Sequence, residues 1–149
     1  MNDLHQLRPR RSCLYMPGSN TRALEKARSL DADVVIMDLE DAVAPEAKSL
    51  AREQVSKAVI EGGFGHREVW IRCNALTSDW GASDLDMVCS AQPNGVVLPK
   101  VSQAEDVTQV FDRLAQAGLG EQIAIWAMIE SPMALLNLPA IAATSRFTS

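Results

Sequence analysis

The residues best suited to chemistry in this chain stand immediately after runs of apolar residues. Val34-Val35-Ile36-Met37 is followed at once by Asp38, Glu40 and Asp41. Val69-Trp70-Ile71 leads into Arg72 and Asn74, Val96-Val97-Leu98 into Pro99 and Lys100, and Ile123 to Ile129 into Glu130. Carboxylates with a few waters suit Mg²⁺, a hard cation that gives up its hydration reluctantly. Arg72 offers a planar fork matched to a substrate carboxylate, and a charge that offsets negative charge building up in a reaction. Plainer uses exist for each. Arg72 could pair with Glu40 or Asp41 across neighbouring strands, Lys100 could be a surface lysine, and Glu130 could favour a helix N-terminus capped by Ser131. Repetition at the end of strand after strand is the stronger signal.

Those apolar runs predict strands, and the segments between them predict helices. Ser12 to Met16 reads as a first strand stopped by Pro17-Gly18, with Ser19 or Asn20 capping a helix that carries Ala23, Leu24, Ala27 and Leu30. The unbroken run at Val34 predicts a strand buried on both faces, with Asp38 and Glu40 on one face unless the turn has already begun. Pro45 suits a first helical position, Ala47 to Val59 marks an apolar face, and Gly62-Gly63 ends that helix. Val69 to Asn74 is the third strand, Asp84 to Ser90 a short helix, and Val96 to Leu98 the fourth strand. Ser102 and Glu105 have capping-box spacing ahead of a stripe at Val107, Val110, Phe111 and Leu114. Ile123 to Ile129 is the fifth strand, Ser131-Pro132 opens a helix that Pro139 must break or restart, and Arg146 to Ser149 resembles the start of a sixth strand. Five βα units in strict alternation imply a parallel α/β sheet with right-handed crossovers. Spaced glycines of a dinucleotide fingerprint are missing after the first strand, which argues against a nicotinamide enzyme.

Composition narrows the function classes. Hydrophobic residues make up 47% and charged ones 22%, the balance of a soluble globular domain. A net charge of -5 gives no support for nucleic-acid binding, and Arg8, Arg10 and Arg11 read as a solvated arm. No apolar run approaches membrane-spanning length, and Met1 to Arg11 lacks the apolar core of a signal peptide. Cys13, Cys73 and Cys89 lack metal-ligand spacing, and Cys13 and Cys73 inside predicted strands should be small buried apolar residues. A reducing cytoplasm is the expected location, or an organelle if a targeting segment has been removed. His5 and His66 fall outside the strand ends, so zinc, Ser-His and Cys-His chemistry gain little support.

The pattern Arg11-Ser12-x-Leu14-x-x-Pro17-Gly18, Met37-Asp38-Leu39-Glu40-Asp41-Ala42-Val43, Arg72-x-Asn74, Leu98-Pro99-Lys100 and Met128-Ile129-Glu130-Ser131 resembles the citrate lyase β-subunit family. That family includes malyl-CoA and citramalyl-CoA lyases within the HpcH/HpaI aldolase superfamily, and the match runs in order from about Arg11 to the end. The resemblance implies a Mg²⁺-dependent C–C lyase on a (β/α)₈ TIM barrel. It would cleave or form a 3-hydroxyacyl-CoA such as citryl-, malyl- or citramalyl-CoA by Claisen-type chemistry. Carried over by motif, Glu130 is a direct metal ligand, Glu40 and Asp41 bind metal waters, and Arg72 holds the oxoacid. Asn74, Arg11 and Lys100 join Arg72 as substrate-binding candidates.

Against that family pattern, the second direct ligand, an Asp after a sixth strand, is expected beyond residue 149. A (β/α)₈ barrel needs roughly 200 residues or more, so 149 residues read as a single incomplete domain, the N-terminal portion of a barrel. Open edges on the first and fifth strands and an uncovered inner face follow as aggregation hazards. A second chain or swapped copy is the other way to supply missing strands, and homo-oligomers are expected of the full-length form. Two alternatives stand beside the lyase: a CoA-independent pyruvate-class aldolase, and a non-catalytic homologue kept for assembly or binding.

Overall fold

The computed structural model describes residues 8–144. Strands β1 (Cys13–Pro17), β2 (Val34–Asp38), β3 (Glu68–Arg72), β4 (Gly95–Leu98) and β5 (Ala124–Ala127) form one sheet. Its order is β1-β2-β3-β4-β5 and every neighbouring pair is parallel. The crossovers carry α1 (Thr21–Ala27), α2 (Lys48–Glu61), α3 (Gly81–Ala91) and α4 (Ala104–Gln116), while α5 (Pro132–Leu136) and α6 (Leu138–Ala142) follow β5. Chain order equals spatial order, as in a barrel wall. A doubly wound sheet would reverse direction at a switch point.

Alternation along the strands separates two apolar layers. One face, with Met16, Val35, Met37, Ile71, Val96, Leu98 and Ile125, packs beneath Leu24, Val55, Leu85, Val88, Val107, Val110 and Leu114 of the helices. The other face holds Val34, Ile36, Trp70 and Val97, with Trp126 and Met128 packed against them. That inner face was expected to lie uncovered, but Trp70 is fully buried and stacks on Trp126 with ring centroids 3.8 Å apart. Gly95 makes this possible, because a Cβ there would lie 2.4 Å from the Trp70 ring.

Arg10 is part of the same layer and not a solvated arm. Its Nε and Nη2 donate to the Glu68 carboxylate at 2.6 and 3.0 Å, with the guanidinium 5.7 Å from the centre of Trp70 and 5.8 Å from that of Trp126. Glu68 also accepts from Trp70 Nε1 at 3.2 Å, so this buried carboxylate is supplied with donors.

Most element boundaries fall near expectation. Asn20 caps α1 and Ser131 caps α5, each accepting a backbone amide at 3.1 Å. Pro139 restarts the chain into α6. The capping box of α4 sits one residue later than expected, at Gln103 and Asp106, because the Asp106 carboxylate gathers the amides of Ser102 and Gln103 and the Ser102 hydroxyl. Cys13 is exposed, since β1 has a neighbour on one side only. β5 is the other free edge. Beside it lies a groove of about 290 Å³ lined by Ile125, Trp126, Ile129, Leu138 and Ile141. Among the described residues, no helix is long and apolar enough to cross a membrane. The start of a sixth strand at 146–149 lies outside the described residues, as does His5.

Candidate functional site

Parallel strands in register bring their carboxyl ends to one rim, and that rim is polar. Asp38, the last residue of β2, is the register partner of Arg72, the last of β3. Arg72 Nε donates to Asp38 Oδ1 at 2.7 Å and Nη2 to Oδ2 at 2.6 Å. The same carboxylate accepts the amides of Glu40 at 2.8 Å and Ala42 at 3.0 Å. Burial pushes the Asp38 carboxyl up, but the Arg72 fork and the two amides outweigh it and hold the group below its ordinary value. Asp38 in turn holds the Arg72 guanidinium still more firmly protonated. The Tyr15 ring centre lies 5.0 Å from that guanidinium.

This arrangement revises the expected use of Arg72. The fork that was to grip a substrate carboxylate is occupied by Asp38, leaving Nη1 for the mouth. Nη1 has Glu40 Oε2 at 3.4 Å, Asp41 Oδ2 at 3.8 Å and Met128 Sδ at 3.9 Å. β2 ends at Asp38, so Glu40 lies in the bend that follows and brings its carboxylate to the same guanidinium from there.

Glu40 is the most unusual group at the rim. It is buried between two cations, with Lys100 Nζ 2.9 Å from Oε1 and Arg72 Nη1 3.4 Å from Oε2. Its charge is balanced there by the ammonium and the guanidinium. Lys100 reaches a second acid through its backbone: its amide donates to Glu130 Oε1 at 2.6 Å. Lys100 itself adopts a left-handed conformation with φ of 54°, a strained choice for a residue with a side chain. Its ammonium is held above the ordinary lysine value by Glu40. Glu130 and Asp41 are exposed and form the outer part of the mouth.

Two expected substrate contacts are placed elsewhere. Arg11 precedes β1 at the amino ends of the strands, where it pairs with Asp33 through Nε and Nη2 at 3.1 Å each and through its amide at 2.8 Å. Those bonds lower the Asp33 carboxyl to about 2. A whole strand, at about 3.3 Å per residue, separates Arg11 from the mouth. Asn74 is near the rim but turned inward. Its Nδ2 donates to Leu39 O at 2.9 Å and Asp84 Oδ2 at 2.6 Å, and its Oδ1 accepts from Lys48 Nζ at 2.8 Å. Both ends of the amide are spent within the protein.

The residues behind Asn74 escaped the sequence reading. Lys48 Nζ donates to the carbonyls of Leu39 at 2.7 Å and Glu40 at 2.6 Å, and Asp84 accepts from Arg52 Nε at 2.9 Å. A signal was available: Lys48 lies on the same helical stripe as Ala51, Val55 and Ala58, so it had to be buried.

The donor set can be tested against a magnesium ion. Asp38, Glu40, Asp41 and Glu130 against Arg72 and Lys100 leave an excess of two negative charges at the mouth. The Glu40 oxygens are sealed from solvent between Arg72 and Lys100, so a cation's waters would reach them only with Lys100 displaced. Among the described residues no three His, Cys, Asp or Glu side chains stand close enough to form a complete metal cluster. The acidic residues of the mouth are of the type that would suit a Mg²⁺ ion and its waters, but among the described residues they form no complete ligand set.

The family model for HpcH/HpaI aldolase/citrate lyase matches residues 11–148. This chain belongs to that family. It is 42% identical over 144 residues to a (3S)-malyl-CoA thioesterase of Cereibacter sphaeroides strain KD131, covering 97% of this chain and 48% of that protein. It is 34% identical over 143 residues to citrate lyase subunit beta of Escherichia coli K12, covering 93% and 47%. A solved structure of protein CitE from Mycobacterium tuberculosis, in complex with magnesium, acetoacetate and coenzyme A, superposes with a TM-score of 0.74 at 25% identity. That superposition covers 93% of this chain and 48% of that one. The chain thus spans about half the length of the family members it matches. Its parallel, sequentially ordered sheet is the barrel-type architecture expected from the motifs.

Proposed function

We propose that this chain carries the oxoacid- and metal-facing strand ends of a Mg²⁺-dependent C–C lyase acting on a 3-hydroxyacyl-CoA, of the citryl-, malyl- or citramalyl-CoA kind. The observation that carries the reading is the gathering of Asp38, Glu40, Asp41 and Glu130 around Arg72 and Lys100 at one rim of the sheet. Glu130 would hold the ion directly, and Glu40 and Asp41 would hold its waters. When bound, Mg²⁺ supplies Lewis-acid polarisation of an oxoacid oxygen.

The chain's own residues divide the remaining work. Arg72, fixed by Asp38, presents Nη1 to a carboxylate or carbonyl oxygen of the oxoacid part. Its locked orientation means that no side-chain reorganisation accompanies charge development. Lys100 adds a second positive charge beside Glu40 for the enolate oxygen of the departing acyl-CoA. A second direct carboxylate ligand and the homo-oligomeric form belong to the full-length protein in this proposal.

A second reading has one observation in its favour, the thioesterase name of the Cereibacter relative. Hydrolysis would release free CoA and an intact hydroxy acid, whereas lyase chemistry releases an acyl-CoA and an oxoacid. The full-length protein, assayed with malyl-, citramalyl- and citryl-CoA and with free hydroxy acids, separates these outcomes by product. Mg²⁺-dependent oxoacid release, lost on Glu130→Gln, is the expected result. Turnover of free hydroxy acids at equal rate would point to the CoA-independent aldolase. No turnover with intact Mg²⁺ binding would point to a binding homologue.

A further inference from the structure

Lys48 is buried at 6% exposure, and nothing in the chemistry proposed above uses it. An ammonium has three donors, and all three are used: on Leu39 O, Glu40 O and Asn74 Oδ1, at 2.6 to 2.8 Å. No carboxylate lies among these partners, and the Trp80 ring centre sits 5.2 Å from Nζ. Two of the three acceptors are consecutive carbonyls of the bend that carries Glu40. The same bend is gripped from its other side, where Asp38 accepts the amides of Glu40 and Ala42. Asn74 is itself held by Asp84, and Asp84 by Arg52, so Lys48 is braced from α2 and α3.

A buried cation is costly unless fully hydrogen-bonded, and a methionine would fill similar space without that cost. What the ammonium adds is direction, imposed on two peptide groups at the base of the Glu40 side chain. We propose that Lys48 is a positioning residue for the mouth. By holding the Leu39 and Glu40 carbonyls, it keeps the Glu40 carboxylate turned toward Arg72 and Lys100, where it can serve a divalent cation and its waters. The cation clause rests on the function proposed above; the clamp on the bend does not.

Two readouts keep these clauses apart: amide hydrogen exchange on the 149-residue chain, and Mn²⁺ binding to the full-length protein followed by electron paramagnetic resonance. Lys48→Met is expected to speed exchange at Glu40 and Ala42 by about tenfold or more, while Val35 and Ile71 change by less than about twofold. Lys48→Arg, which keeps the charge, should restore part of that protection. Mn²⁺ affinity should fall by about tenfold in Lys48→Met, the range seen when a group supporting a metal ligand is removed. Exchange that is unchanged at the bend, or faster everywhere alike, would overturn the positioning role. Failure of the unsubstituted full-length protein to bind Mn²⁺ would overturn the cation clause alone, with exchange still judging the clamp. Should Lys48→Met not fold, the Lys48 ammonium of the unsubstituted chain decides. Its protons should persist in ¹⁵N–¹H spectra at neutral pH where those of exposed Lys26, Lys57 and Lys100 vanish, and their absence would refute the clamp.

Discussion

Asp38 and Arg72 face each other in register across β2 and β3 and share two hydrogen bonds of 2.7 and 2.6 Å at the rim of the sheet. The pair ties two strand ends together and, in the same act, sets which edge of the guanidinium a ligand can meet. Structure and chemistry therefore draw on one residue.

Arg72→Ala strands a buried Asp38 carboxylate, so it should cost about 3–5 kcal/mol of stability, read from denaturant midpoints. Asp38→Asn frees the guanidinium while leaving a hydrogen-bonding amide, and should cost less. In a full-length protein, Asp38→Asn is expected to weaken oxoacid binding by letting Arg72 drift. Unchanged binding would mean that Nη1 is not the substrate contact.

Acid should unfold the chain through Asp38 and Glu68. Both carboxyls sit below their ordinary values, Asp38 because its hydrogen bonds outweigh burial, Glu68 chiefly through the Arg10 hydrogen bonds. A depressed folded-state value means that the stabilisation is complete above the unfolded-state range of about 4. It is lost as pH falls through the depressed values. Urea midpoints should thus be flat above about pH 5 and fall below about pH 4. Arg10→Met removes the main cause of the Glu68 shift and should make that fall shallower.

Gly95→Ala would push a methyl into the Trp70 ring, which lies 2.4 Å from the added carbon. We expect a loss of about 1–3 kcal/mol, as for other overpacked sites. Near-ultraviolet circular dichroism should change with it, since Trp70 and Trp126 are stacked.

Lys100 allows backbone and side chain to be weighed apart. Lys100→Gly relieves the left-handed strain at φ 54° and Lys100→Ala keeps it, so glycine should be more stable than alanine by about 1 kcal/mol. Both lose the ammonium beside Glu40, so both should shift Mn²⁺ affinity by the same factor.

Periodicity and strand-end chemistry were enough to place the sheet, its parallel sense and the polar rim, because short apolar runs such as Val34 to Met37, bounded by polar and turn residues, read as buried strands. Side-chain partners were harder. Asp38 looked like one acid of three, and only register made it the partner of Arg72. Asn74 sits in a motif beside Arg72, but its amide is consumed by Lys48, Leu39 and Asp84, which come together only in three dimensions. Arg11 matched a motif yet stands at the far end of β1, because a motif gives order along the chain and not which rim a residue occupies. Arg10 was read as solvated since no local pattern shows that Glu68 and two tryptophans await it.

Lys100 touches one acid with its ammonium and another with its peptide nitrogen. Substitution at position 100 by any residue but proline cuts only the first of these tethers, because the peptide nitrogen keeps the second. Any displacement of the turn after β4 would consequently drag Glu130 along whatever side chain occupies position 100, while Glu40 would follow only a lysine. The spacing between those two carboxylates is in this sense a mechanical property of a single turn, adjustable from position 100 by one substitution.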